Sequence, residues 1–155
     1  MKSRNNIRIC RSVILNMWLI LIPFCAQAQT KFKIATHQYR VESKKIKNEW
    51  NTKDEIKELY LVNKGDKEKV LSYYAYKDEG GDCNNLFWDK ATLNIKGNSL
   101  IVTVHHFQKT GIDPITEWEQ ITYRVNVNGK PELVAHLYKK FGSNEWKTEE
   151  EWYKQ

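Results

Sequence analysis

Ala91-Thr92-Leu93-Asn94-Ile95-Lys96-Gly97-Asn98-Ser99-Leu100-Ile101-Val102-Thr103-Val104-His105-His106-Phe107 decides the fold. Two β-rich runs flank Lys96-Gly97-Asn98-Ser99, a short polar segment with the residues that tight hairpin turns require. Along 100–107, Leu100, Val102 and Val104 share one face with His106, while Ile101, Thr103, His105 and Phe107 share the other. The period is two, so this is strand.

The same rhythm extends in both directions. Upstream, 32–41, 59–63 and 70–76 read as strands, with Lys64-Gly65-Asp66 as a turn. Residues 43–58 are rich in Lys and Glu and admit a short helix or a ragged hairpin. Downstream, 119–127 and 132–140 flank Asn128-Gly129, read as a type I′ turn, and Gly142-Ser143-Asn144 leads into a last strand over 146–153. Tyr123, Val125 and Val127 continue the apolar face that Ile121 begins, opposite Thr122, Arg124 and Asn126. The runs 70–76 and 132–138 carry large side chains on both faces, as central strands covered twice or strands lining a cavity would.

Runs joined by tight turns pair antiparallel. The expected fold class is therefore all-β: a meander of about seven or eight strands, closed as a small barrel or folded as a sandwich. The pattern is similar to a small lipocalin-like barrel in architecture alone. The Gly-x-Trp signature of that class is absent, because Trp50 follows Asn48-Glu49.

The chain has 155 residues, a net charge of +6 and three cysteines. Its first segment alters what those figures mean. Lys2, Arg4, Arg8 and Arg11 precede an apolar stretch from Val13 to Phe24, and Ala26-Gln27-Ala28 follows. A positive region, a short apolar core and an A-x-A site describe a secretory signal peptide cleaved after Ala28, with a single domain over 29–155. Lipidation at Cys25 ranks lower, since Phe24 stands where a small residue is wanted. Cleavage removes four basic residues and no acidic ones, leaving 21 Lys and Arg against 19 Asp and Glu. The protein is then expected to be periplasmic or secreted, with no membrane span. Cys83 alone remains, so no internal disulfide can form.

Charge near balance, with Lys and Glu interspersed, argues against nucleic acid as a partner. Asp78-Glu79-Gly80-Gly81-Asp82-Cys83-Asn84-Asn85 reads as a polar loop. Its spacing does not fit a calcium loop, and Asp82 beside Cys83 disfavours a reactive thiolate. His105 and His106 point to opposite faces of a strand and cannot grip one ion together. A metal site would need His37 or His136 to converge on one of them. No nucleophile motif is present, so no catalytic residue, metal or cofactor is assigned, and the protein is read as non-enzymatic.

Aromatic residues are the stronger signal. Tyr73, Trp88, Trp118, Tyr138, Trp146 and Trp152 are the candidate ligand-binding side chains, with Trp146 and Trp152 expected on one face of the last strand. They suit an aromatic-lined cavity or face for a small apolar or glycan ligand. The alternative is a protein-interaction module, of inhibitor or immunity type, that offers Asp78, Glu79 and Asp82 from a protruding loop.

Overall fold

Turns with left-handed backbone convert the alternating runs into a meander. A computed structural model of the chain describes residues 30–49, 52–81, 85–111 and 113–154. The strands are β1 Thr30–Ile34, β2 His37–Lys47, β3 Lys53–Asn63, β4 Asp66–Gly81, β5 Asn85–Lys96, β6 Ser99–Thr110, β7 Asp113–Val125, β8 Pro131–Lys140 and β9 Lys147–Thr148, followed by the helix α1 Glu149–Tyr153. They form one sheet in chain order, every neighbouring pair antiparallel. Lys64 and Gly65 supply the two positive φ values, 48° and 100°, that a I′ turn between β3 and β4 needs.

Of the two alternatives for 43–58, no helix lies among the described residues, and β2 and β3 form the hairpin, a long one. Its end is pinned by the buried carboxylate of Asp54, which accepts from Asn48 Nδ2 (3.1 Å) and from the Asp78 backbone N–H (3.0 Å). The polar loop expected over 78–85 is strand at both ends, because β4 runs to Gly81 and β5 begins at Asn85. Asp82 and Cys83 lie outside the described residues, as do Trp50 and residues 1–29, where the signal peptide is expected.

Asn128-Gly129 is not a two-residue I′ turn. β7 ends at Val125, and the Asn126 side chain accepts from the backbone N–H of Asn128 (2.9 Å) and Lys130 (3.0 Å), organising a wider loop in which Gly129 alone takes positive φ. The final segment is a two-residue strand and a short helix rather than a strand over 146–153. Thr148 caps that helix and exchanges hydrogen bonds with Glu151, and this local pairing overrides extended structure.

The sheet does not close into a barrel, since the chain-order ladder leaves β1 and β9 as its two edges. It curls strongly all the same. Register shifts between Leu59 and Tyr60, Glu55 and Ile56, Asp78 and Gly80, and Thr122 and Tyr123 mark β-bulges, which bend and twist the strands that carry them. The curl brings the β7–β8 loop back over β2: Tyr39 Oη donates to the Gly129 carbonyl (2.7 Å), and His37 Nε2 meets the Val127 carbonyl (3.1 Å). The core gathers at that end, where Ile34, Tyr39, Leu59, Leu61, Leu100 and Val125 are all buried.

Cross-strand pairs assign the rest of the inner face. Val102 lies opposite Leu93 and Ile121, and Tyr39 lies opposite Phe32 and Leu61. Moving along the strands to the other end, the inner face turns ionisable. There Asp89 pairs with His106, which pairs in turn with Glu117. The inner face is therefore apolar and clamped at one end, polar and open at the other.

Candidate functional site on the inner face

Two features lie side by side inside the curl. The first is an open trough of about 310 Å³ whose lining includes Phe32, Val41, Lys57, Tyr73, Leu93 and Ile95. It reaches the lower end of the size range of ligand pockets, roughly 300–1,000 Å³. The five strands β1 to β5 each contribute to it, because period-two residues on a curled sheet converge inward. Burial, with the Glu55 carboxylate nearby, pushes the Tyr73 phenol up to about 12, so it stays protonated.

The second feature is a row of ionisable side chains across β5, β6, β7 and β8. Asp89 Oδ1 lies 2.7 Å from His106 Nδ1, His106 Nε2 lies 3.2 Å from Glu119 Oε2, and Glu119 Oε1 continues to His136 Nε2. With a carboxylate on each ring nitrogen, His106 donates twice and is an imidazolium. The hydrogen bonds to Asp89 and then Glu119 raise its pKa to about 10. The same bond from His106 holds the Glu119 carboxyl below its ordinary value. Beyond His136 the row becomes aromatic: Tyr138 packs on His136 with ring centroids 4.8 Å apart, and Trp152 of α1 packs on Tyr138 at 5.6 Å.

The six aromatic candidates divide between the two faces. Tyr73, Tyr138 and Trp152 are inside. Trp88, Trp118 and Trp146 are outside, so Trp146 and Trp152 do not share a face. On the outer face Phe107, Trp88, His105, Trp118 and Phe141 form a chain of ring contacts 4.8 to 6.4 Å apart. Lys139 sits 4.9 Å from the Trp118 ring and 5.0 Å from that of Trp146. Most of these rings spend their faces on one another, which suits cross-strand stabilisation better than stacking on a sugar. Burial lowers the pKa of His105, whose Nε2 is buried with no hydrogen-bond partner among the described residues.

Asp78 and Glu79 do not project from a loop. Asp78 Oδ1 accepts from Gly80 N (3.0 Å), its carbonyl accepts from Asn48, and Glu79 pairs with Lys77. Both belong to β4, and the Glu79 side chain remains 45% exposed.

The ionisable row escaped sequence reasoning, although part of it was within reach. Counting outward from Gly97-Asn98 places Asp89 opposite His106. Reaching His136 requires the bulge near Val134 as well, where Thr122 pairs with Ala135 but Tyr123 with Leu133. Nothing in the composition announces that step. Among the described residues no group of three or more His, Cys, Asp or Glu side chains is arranged to hold a metal ion. Comparison with protein-family models, with curated proteins and with solved structures finds no match to this chain.

Proposed function

We propose that the protein is an exported, non-enzymatic binding domain that takes a small apolar ligand in the trough on the inner face of its sheet. The observation that carries this reading is the trough itself, walled by Phe32, Val41, Leu93 and Ile95 and left open to solvent by the unclosed sheet. Ile95 keeps 43% of its surface exposed there, a large aliphatic side chain facing open space. Tyr73 and Lys57 add single polar groups, the sparse polar lettering that orients a ligand in an apolar site. His106 is a poor candidate for acid–base work, because both its nitrogens are already committed to carboxylates.

The test is titration with the neutral fluorophore N-phenyl-1-naphthylamine, compared with Ile95→Arg. The wild-type protein should enhance the probe's emission, and the variant should lose the enhancement at an unchanged melting temperature. Equal enhancement by both proteins would remove the trough as the site. Intact mass of protein from the exported fraction tests the export reading: the expected species begins at Gln29, and a retained leader or an acylated Cys25 contradicts it.

A further inference from the structure

We infer that a second site lies on the outer face over β1–β4, an oxyanion pocket for a phosphorylated or sulfated sugar. A depression of about 360 Å³ is lined there by Lys31, Lys33, Gln38, Arg40, Val62 and Lys67, among others. The register explains why they meet. Lys33, Gln38, Val62 and Lys67 form one cross-strand row, and Lys31, Arg40, Tyr60 and Lys69 form the next. Each row begins and ends in a cation, with Gln38 and Val62 between in the first and Arg40 and Tyr60 in the second.

The cations are held in place from behind. Glu42 accepts from Lys67 Nζ at 2.7 and 2.9 Å and lies 3.1 Å from Arg40 Nε, an ion-pair contact outside hydrogen-bond geometry. Glu58 takes Lys69 Nζ at 3.1 Å and the Tyr60 hydroxyl at 2.7 Å, while Lys67 Nζ lies 4.4 Å from the centre of the Tyr60 ring. Lys31 and Lys33 make no ion pair among the described residues. Five cations thus stand against two carboxylates, in a chain whose residues 29–155 carry an excess of only two. The charge excess is concentrated on this one surface, which points to an anionic partner.

Lysines on an edge strand discourage stray pairing, and that accounts for Lys31 and Lys33. It does not account for Arg40 and Lys67, which sit on interior strands and are gripped by one carboxylate. A bare anion would not span the two rows. A sugar ring over Val62, beside the Tyr60 ring that Lys67 already covers, would, with Gln38 bonding a hydroxyl and the terminal cations taking the oxyanion by charge-assisted hydrogen bonds.

The experiment is calorimetric titration of the full chain with a sulfated heparin disaccharide, its unsulfated counterpart and inorganic sulfate. The sulfated disaccharide should bind, and Lys33→Gln with Lys67→Gln should weaken it about tenfold. Removing the same charge elsewhere, with Lys96→Gln and Arg124→Gln, should leave its affinity within about twofold. Glu42→Gln is the sharper arm, because it adds net positive charge while freeing Arg40 and Lys67. Diffuse attraction predicts tighter binding in that variant, and a built site predicts weaker binding. Tighter binding by Glu42→Gln, equal losses in the two charge-removing pairs, equal binding of the unsulfated disaccharide or of inorganic sulfate, or no binding at all would each overturn the inference. Melting temperatures of all variants separate lost binding from lost folding.

Discussion

At the scale of single residues, His106 ties pH to stability. Its folded pKa of about 10 lies above the ordinary 6.5, so the folded state holds the proton more tightly than the unfolded chain. Its contribution is complete below about pH 6.5 and is lost as the pH climbs toward 10. Glu119 works in the opposite sense. Its lowered pKa adds stability above the ordinary carboxyl value of 4.5 that fades as the pH falls below it. Urea midpoints should therefore be highest between about pH 4.5 and 6.5 and decline on the alkaline side. The His106 side chain is 38% exposed, so solvent screening limits its contribution to on the order of 1 kcal/mol. His106→Gln should flatten the alkaline decline, and an unchanged slope would show that other groups govern it. Gly129 makes a second residue-scale case. It is buried at φ 79°, and a Cβ there would stand 2.8 Å from His37 Nδ1 and 3.0 Å from Leu61 Cδ1. Gly129→Ala should cost about 2–3 kcal/mol in urea titrations, through strain and crowding together. Gly65→Ala has φ 100° but no atom within 4 Å, so it should cost about 1 kcal/mol from backbone strain alone.

At the scale of elements, legibility followed the range of the interaction involved. Strand periodicity and the Gly97-Asn98 turn are local, and β5 and β6 contain the runs expected at 91–95 and 100–107, though both extend beyond them. The β2–β3 hairpin was ambiguous because its decisive contacts are distant: Asn48 and Asp54 meet Asp78 across 30 and 24 residues of chain. The last element misled for the opposite reason, since a capping box outweighed the alternation of Trp146 and Trp152. That box makes α1 testable. Thr148→Ala removes the acceptor for Glu151 N and should fray the five-residue helix, at a cost of about 1 kcal/mol to its local order. Trp152 would then leave Tyr138. The measurement is acrylamide quenching of a variant in which Trp152 is the sole tryptophan, the others being replaced by Phe. Quenching should rise in Thr148→Ala, and an unmoved quenching constant would mean that Tyr138 and Lys140, which lies 5.1 Å from the Trp152 ring, hold the indole without help from the helix.

At the scale of the whole molecule, one sheet is asked to be both core and cavity, and the division runs along the strands rather than between layers. Among the described residues no second layer packs on the sheet, so burial depends on curl, and curl depends on bulges whose positions no periodicity reveals. That is why strand composition was readable while the choice among barrel, sandwich and open curled sheet was not. The same division predicts how the protein opens. The amides of Tyr39, Leu61 and Leu100 belong to residues that are themselves almost wholly buried, and the β7–β8 loop clamps β2 at that end through the bond from Tyr39 to Gly129. Those of 44–47, 86–88 and 108–110 are flanked by half-buried or exposed residues at the other end of the same strands. Native-state hydrogen exchange should find the first set opening only with global unfolding and the second through local events of much lower free energy. Tyr39→Phe breaks the clamp without changing the ring, so it should lower protection of the first set by about 1–2 kcal/mol and leave the second nearly unchanged. Uniform protection along β2, β3 and β6 would contradict the lengthwise division. So would a Tyr39→Phe effect spread evenly over both ends, since the trough borders the clamped end and its shape would then owe nothing to the clamp.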